Sequence, residues 1–188
     1  RNLIKYSSLK VFNPDFLAAN HNTSFYSIIN FLNKWNDSVV VKADGLHGGK
    51  GVKVYNDHLF NRDDILNYIH EILKNKEKVV LEQKLEGKEF SFISITDGKT
   101  TVDCPPIQDF KRLMTGNKGP NTGSMGCISD KNKLNFLTVK DILTVSSINR
   151  DVVNLLNTYD TCYKGFLYGS YIKTKKGEIK IIEFNARL

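Results

Sequence analysis

Apolar residues recur along this chain at two spacings, and the change from one to the other marks out its elements. Val39, Val40 and Val41 are three β-branched residues in a row, Lys42 closes the run, and a glycine-dense turn leads to Val52 and Val54 flanking Lys53. That pattern predicts a buried strand, a tight tip and a returning strand. Before it, Val11, Phe12, Phe16 and Leu17 share one side if residues 10–17 are helical, with Pro14 limiting the first turn, so a short amphipathic helix is expected. Phe25, Ile28, Ile29, Phe31 and Leu32 then recur at helical spacing up to Trp35, behind a cap at Thr23-Ser24. After the hairpin, Ile65, Leu66, Ile69, Ile72 and Leu73 make one face of a helix from about Asp64 to Lys74, capped by Asn61 or Asp63. Val79 to Leu81 is another buried-strand run. Helix, hairpin, helix, strand is the order of a small α+β lobe.

The second half is richer in strands. Phe90 to Ile95 alternates with Ser91 and Ser94, Asp97-Gly98 turns, and Thr100 to Val102 returns as a partner. Gln108 to Ile128 is polar and glycine-rich, and a loop of that length in a compact protein is more often functional than decorative. Leu134 to Leu156 holds two helical patterns, with Val145, Ile148, Val152, Val153, Leu155 and Leu156 as the core face. Phe166 to Ile172 and Ile179 to Phe184 end the chain as two strands joined at Lys175-Lys176-Gly177.

Composition narrows the class without naming a function. A chain of 188 residues with 40% hydrophobic and 11% aromatic content can build a packed core. Its net charge of +7 would suit nucleic acid, but lysine is scattered along the chain without the clustered stripe of a nucleic-acid module, so no nucleic-acid partner is expected. Cys104, Cys127 and Cys162 are odd in number and lack metal-ligand spacing, which fits reduced thiols in the cytoplasm. No apolar run approaches the roughly 20 residues of a membrane span, and no signal sequence is expected. The chain opens at Arg1 without an initiator Met and stops at Leu188 directly after a strand pattern, so a piece of a larger protein is expected.

The glycine-rich tip is the first candidate for chemistry. Gly45, Gly48, Gly49 and Gly51 can turn backbone N–H groups toward an anion while Lys42 and Lys50 add positive charge, an arrangement suited to a polyphosphate. It is neither of two familiar phosphate loops. A Walker A loop would put its first glycine at Asp44 and a hydroxyl at Gly51, and G-x-G-x-x-G fails because Val54 holds the last position. Glu82 to Glu89 reads as strand, connector and strand; connector backbone can read an adenine edge while the two carboxylates accept from its amino group and from ribose hydroxyls. Glu183 and Asn185 lie two apart on a strand and share a face, with Ile182 and Phe184 on the other, and oxygen ligands of this kind suit magnesium beside phosphates. The histidines, His21, His47, His58 and His70, sit in loop or helix-face contexts and suggest no nucleophile-base pair.

V-V-K-A-D-G-x-x-x-G-K-G, V-L-E-x-x-L-E-G-x-E, Q-D-x-K-R, G-P-N-T-G-x-M-G, G-F-L-Y and I-E-F-N-A-R follow one another in this order. Together they resemble glycinamide ribonucleotide synthetase, or phosphoribosylamine-glycine ligase, of the ATP-grasp superfamily, from about Leu9 to Leu188. The resemblance implies an α+β ATP-grasp fold with ATP between a small lid lobe and a larger antiparallel lobe. On that plan residues 1–37 lead into the lid, 38–83 form it and 84–188 form the larger lobe, while the family's N- and C-terminal domains are absent. Lys10 and Lys42 would reach the phosphates, Gly48, Gly49, Lys50 and Gly51 close over them, Glu82 to Leu85 hold adenine, and Glu89 the ribose. Glu183 and Asn185 would hold magnesium, with manganese as an alternative. Asp109, Lys111, Thr122, Gly123, Ser124, Met125, Gly126 and Arg187 would face the substrates, with Lys50, Asp109 and Arg187 as the catalytic set. The implied reaction activates glycine's carboxylate as an acyl phosphate, which the amine of 5-phosphoribosylamine attacks to give glycinamide ribonucleotide, ADP and phosphate. Other domains of the parent chain are the implied partners. Two other readings stand beside it: another ATP-grasp ligase, and a nucleotide-binding fragment without turnover.

Overall fold

Strand and helix patterns condense into two separate cores. The computed structural model describes residues 2–5, 7–45, 51–116, 118–131, 133–159 and 162–187. In chain order it contains α1 (Asn2–Lys5), a 3-10 turn (Ser8–Phe12), β1 (Phe16–Ala19), α2 (Phe25–Lys34), β2 (Val39–Ala43), β3 (Val52–Val54), α3 (Arg62–Lys74) and β4 (Val79–Gln83). There follow β5 (Gly87–Thr96), β6 (Thr101–Asp103), β7 (Ile107–Asp109), β8 (Arg112–Met114), β9 (Lys118–Asn121), β10 (Cys127–Ser129), α4 (Val139–Asn157), β11 (Gly165–Thr174) and β12 (Ile179–Arg187). These elements form two compact units, an inserted one, Pro14–Leu85, and a larger one made of Arg1–Asn13 and Glu86–Leu188.

The inserted unit is an antiparallel sheet in the order β1-β4-β2-β3. Its strands send alternate residues to one face, where Ala19, Val39, Val41, Val79 and Leu81 meet Ile28 and Leu32 of α2 and Ile65 and Ile69 of α3. The Asn61 side chain caps α3 by accepting from the Asp64 N–H at 2.8 Å, and Asp63 and Asp64 sit in the first turn, where the helix dipole favours acids. At α2 the Ser24 side chain makes no capping bond; the neighbouring Thr23 hydroxyl accepts instead from Asn20 N–H at 2.9 Å. The helix expected over residues 10–17 is not formed. Pro14 cannot continue the 3-10 turn, and Phe16 and Leu17 pair with Glu82 and Leu81 as strand β1. The first 37 residues are therefore shared between units: Leu9 is buried in the larger core, Ala19 and Ile28 in the inserted one.

The larger unit is built on a sheet ordered β10-β7-β5-β11-β12, with β6 also on β5. Phe90, Phe92, Leu167, Tyr171, Ile179 and Ile181 face α4, whose Val145, Ile148, Val152 and Val153 close the core. The expected pair of helical patterns is one helix. Thr138 and Asp141 form a capping box that starts it, so Leu134 and Leu137 enter the core ahead of the helix. The expected loop Gln108 to Ile128 instead contains β7, β10 and the two-stranded β8-β9 sheet, each short strand defined by its partner rather than by alternation.

Candidate functional site

Each unit carries its own polar cluster. In the inserted unit the face of the sheet opposite the helices is half-buried and apolar, with Val40, Val54 and Val80 on it, yet it holds Lys42 and Glu82. Val40 pairs with Glu82 and Lys42 with Val80, so the two charged residues sit diagonally, and Lys42 Nζ lies 2.8 Å from Glu82 Oε2. Their side chains are 19% and 6% exposed, which makes this the most enclosed ion pair described in the protein. A charged pair on so apolar a surface persists because each partner offsets the other's lost hydration. On the opposite face Lys53 Nζ sits 3.8 Å from the centre of the Tyr68 ring. The hairpin is present as read: β2 and β3 pair antiparallel and Ala43 N–H donates to the Gly51 carbonyl at 2.9 Å. Gly48, Gly49 and Lys50 lie outside the described residues. Leu85 ends the inserted unit.

In the larger unit the candidate metal pair depends on an irregularity that sequence spacing does not show. Ser170 lies opposite Glu183 but Tyr171 opposite Ile181, so Ile182 is an extra residue on β12, a β-bulge. Ile179 and Ile181 point into the core; without the bulge Glu183 would follow them, because side-chain direction has period two. The bulge resets the parity. Phe184 packs against the core, while Glu183 and Asn185 emerge side by side on the face away from α4, Asn185 Nδ2 donating to Glu183 Oε1 at 3.2 Å. Ile182 thus does not share an inward face with Phe184 as expected; it is the bulged residue, and Ile181 holds the core position. By register Ser91, Tyr168 and Ser170 share the outward face, and the Ser91 and Tyr168 hydroxyls are hydrogen-bonded to each other. Glu89 is on that face at the exposed start of β5, and Lys10 is exposed on the 3-10 turn, whose neighbour Val11 accepts from Lys180 Nζ at 2.9 Å. Among the described residues there is no group of three or more His, Cys, Asp or Glu that could hold a metal. Glu183 and Asn185 offer two hard oxygen donors, a set that fits magnesium when phosphates and water complete the shell.

A second cluster gathers most of the residues expected to face substrates. The Asp109 Oδ1 accepts from Ser124 Oγ at 2.6 Å, and Lys111 Nζ is 4.0 Å from the other oxygen. Backbone bonds lace the same segments together: Phe110 N–H to the Gly126 carbonyl at 2.9 Å, Met125 N–H to the Phe110 carbonyl at 2.7 Å, and Thr122 N–H to the Lys111 carbonyl at 2.6 Å. Residues 122–126 are therefore a loop folded onto 109–111. Gly126 has φ +140°, and a Cβ at Gly123 would meet open space. Ser124, Met125 and Gly126 are exposed. Arg187 is elsewhere. Asp109 is on β7 and Arg187 on β12, three inter-strand steps or about 14 Å apart across the sheet. Ile107 pairs opposite Ser91, which puts Asp109 level with Glu89, whereas Arg187 is level with Ile95, about 20 Å further along. Asp109 and Arg187 are thus separated both across and along the sheet. Arg187 belongs instead with Glu183 and Asn185, its N–H donating at 3.1 Å to the Tyr163 hydroxyl, which in turn donates to the Phe166 carbonyl at 2.8 Å.

Comparison with known proteins gives the family and the fold. Residues 9–188 match the family described as phosphoribosylglycinamide synthetase, ATP-grasp (A) domain. The phosphoribosylamine-glycine ligase of Methanosphaera stadtmanae is 40% identical over 162 residues, 84% of this chain and 37% of that protein. That of Methanococcoides burtonii is 42% identical over 151 residues, 80% of this chain and 34% of that protein. The chain thus spans about a third of the length of these curated relatives. A crystal structure of phosphoribosylamine-glycine ligase from Thermotoga maritima matches with a TM-score of 0.78 and 26% identity, over 100% of this chain and 46% of that one. D-alanyl-alanine synthetase A from Vibrio cholerae, 16% identical with a TM-score of 0.71 over 98% of this chain and 54% of its own, shares the fold. By its match over residues 9–188, the chain belongs to the phosphoribosylglycinamide synthetase ATP-grasp (A) domain family.

Proposed function

We propose that this chain is the ATP-grasp part of a cytoplasmic ligase of purine synthesis that joins glycine to 5-phosphoribosylamine, with ADP and phosphate as the other products. A glycine carboxylate oxygen attacks the γ-phosphorus and ADP leaves; the amine nitrogen of phosphoribosylamine then attacks the carbonyl carbon, phosphate leaves and the nitrogen gives up a proton. The carboxylate is already ionised at neutral pH, so the first step needs no base. It needs position and charge compensation. Lys10, Lys42 and Lys50 supply positive charge to the phosphates, with the N–H groups of Gly48, Gly49 and Gly51 beside them. Leu85 offers connector backbone to adenine, Glu82 accepts from its amino group and Glu89 takes the ribose. For Glu82 to turn to adenine and Lys42 to phosphate, their 2.8 Å contact must open, so the nucleotide takes over both halves of the pair. Asp109 accepts from glycine's ammonium, and Lys111 with Thr122, Gly123, Ser124, Met125 and Gly126 receives the ribose phosphate. Arg187 compensates negative charge near the metal pair. Glu183 and Asn185 hold magnesium, which when bound neutralises the charge carried by the transferring phosphate. Other domains of the parent chain complete the phosphoribosylamine site.

The observation that carries this reading is the emergence of Glu183 and Asn185 together on one exposed face, at the cost of a bulge in β12. The test is ADP release by the full-length parent with glycine and phosphoribosylamine supplied separately and together. Release that requires glycine, and that falls at least about a hundredfold in turnover for Glu183→Gln, is expected, since electrostatic stabilisation of this kind is worth several kcal/mol. ADP release indifferent to glycine would point to another ATP-grasp ligase, and nucleotide binding without release to a module lacking turnover.

A further inference from the structure

Behind the metal pair lies a buried polar network that the reaction scheme does not use. Phe184, the residue between Glu183 and Asn185, points toward the core, where its ring stands edge-on to Tyr171 at 6.1 Å and 86°. Tyr171 is fully buried, stacked on Phe90 at 5.7 Å, and its hydroxyl donates to Asn149 Oδ1 at 2.5 Å. Asn149, fully buried on α4, uses its amide to hold β5 as well, donating to the Phe92 carbonyl at 3.1 Å and to Ser94 Oγ at 2.7 Å. Gly169 is what lets this network pass over β11. A Cβ there would lie 2.5 Å from Tyr171 Cε2 and 2.8 Å from Asn149 Oδ1, and Gly169 is the direct partner of Phe184 in the sheet.

An amide and a phenol in the middle of a core are expensive to dehydrate, and apolar residues of the same size would fill this space without that cost. What hydrogen bonds add is direction: a fully satisfied network fixes one rotamer and one strand offset where an apolar contact allows several. We propose that Tyr171, Asn149 and Gly169 are positioning residues for the metal-binding pair. They fix the Phe184 ring and, through it, the backbone of residues 183–185, just beyond the bulge where β12 has lost its regular register. This rests on the reading of Glu183 and Asn185 as metal ligands. The clamp acts from beneath the strand, and its loss loosens the donor pair without removing a donor.

The experiment is a titration of Mn2+ by paramagnetic resonance on the full-length parent with ADP present, alongside thermal melting. Tyr171→Phe removes one hydroxyl and keeps the ring; adding Asn149→Leu also removes the bonds to the Phe92 carbonyl and Ser94, so melting reports the cost in stability separately. The expected result is Mn2+ binding weakened about tenfold in both, the lower end of what groups behind metal ligands carry, at temperatures well below either variant's melting transition. Gly169→Ala, which displaces the Tyr171 ring, is expected to weaken Mn2+ at least as much. Glu183→Gln separates the two ideas. If it weakens Mn2+ while Tyr171→Phe and Gly169→Ala bind within twofold of the parent, the clamp is overturned and the metal pair stands. If none of the variants alters Mn2+ binding, both are overturned.

Discussion

Asp141 is the residue on which local structure and long-range packing meet. Its Oδ2 accepts from the Thr138 N–H at 2.8 Å, closing the cap of α4, and from Lys173 Nζ of β11 at 2.7 Å, tying helix to sheet. Burial pushes its carboxyl up, but the Lys173 ammonium and the Thr138 donors outweigh that and hold it below its ordinary value of 3.8. A carboxyl depressed in the folded state stabilises the fold fully above its unfolded pKa, and the contribution disappears as pH falls through the folded one. Asp141→Asn is therefore expected to destabilise the larger unit by about 2 kcal/mol at pH 7, the scale of a charge-assisted hydrogen bond, with the gap narrowing below pH 4. Denaturant titrations of both proteins at pH 7 and pH 3, followed by circular dichroism, check this; an equal gap at both pH values would sink the charge argument. Tyr171 shifts the other way, its phenol held well above 10 first by burial and then by Asp103, so it stays a hydrogen-bond donor across the neutral range.

At the scale of elements, the loop 122–126 offers a way to tell glycine kept for conformation from glycine kept for approach. Gly126 has φ +140°, a region that excludes side chains, so Gly126→Ala should cost about 1 to 2 kcal/mol of stability. Gly123 has open space at its Cβ, so Gly123→Ala should be neutral within about 0.5 kcal/mol. If its backbone lies against the ribose phosphate, the same substitution should raise the KM for phosphoribosylamine at least about tenfold and leave that for ATP unchanged; parallel kinetics for both substrates would argue for a surface turn. The elements legible in the sequence were those with local causes: α3 from its apolar period and Asn61 cap, and the β2-β3 hairpin from its valines and glycines. The adjacency of Glu183 and Asn185 was readable because two residues apart on a strand is a local fact. The bulge was not, since Ile182 looks like any strand residue and only the pairing with Ser170 and Tyr171 shows it to be extra. Nor were the Lys42 to Glu82 pair and the distance between Asp109 and Arg187, which depend on strand order. Strands β7 to β10 escaped notice because three or four residues are too few to display a period.

For the molecule as a whole, two cores imply two unfolding events. Trp35 is the single tryptophan, and it lies in the inserted unit, where its indole N–H donates to Asp15 Oδ2 at 3.1 Å. Fluorescence should therefore follow that unit, while circular dichroism also sees the 19 residues of α4. Denaturant curves by the two probes are expected to differ in midpoint; coincident curves would mean that the units unfold as one. The division also sets a timetable for synthesis. The inserted unit is continuous, so every strand it needs exists once Leu85 has been made. The larger unit cannot close so early: β5 waits until Gly165–Thr174 for the neighbour that pairs along its full length, and the core over Leu9 is completed by the last strand. On the ribosome, the lysine-bearing hairpin is thus assembled ahead of the sheet that carries the carboxylate and amide, with strand β5 and its apolar Phe90 and Phe92 held in waiting for some 70 residues of translation.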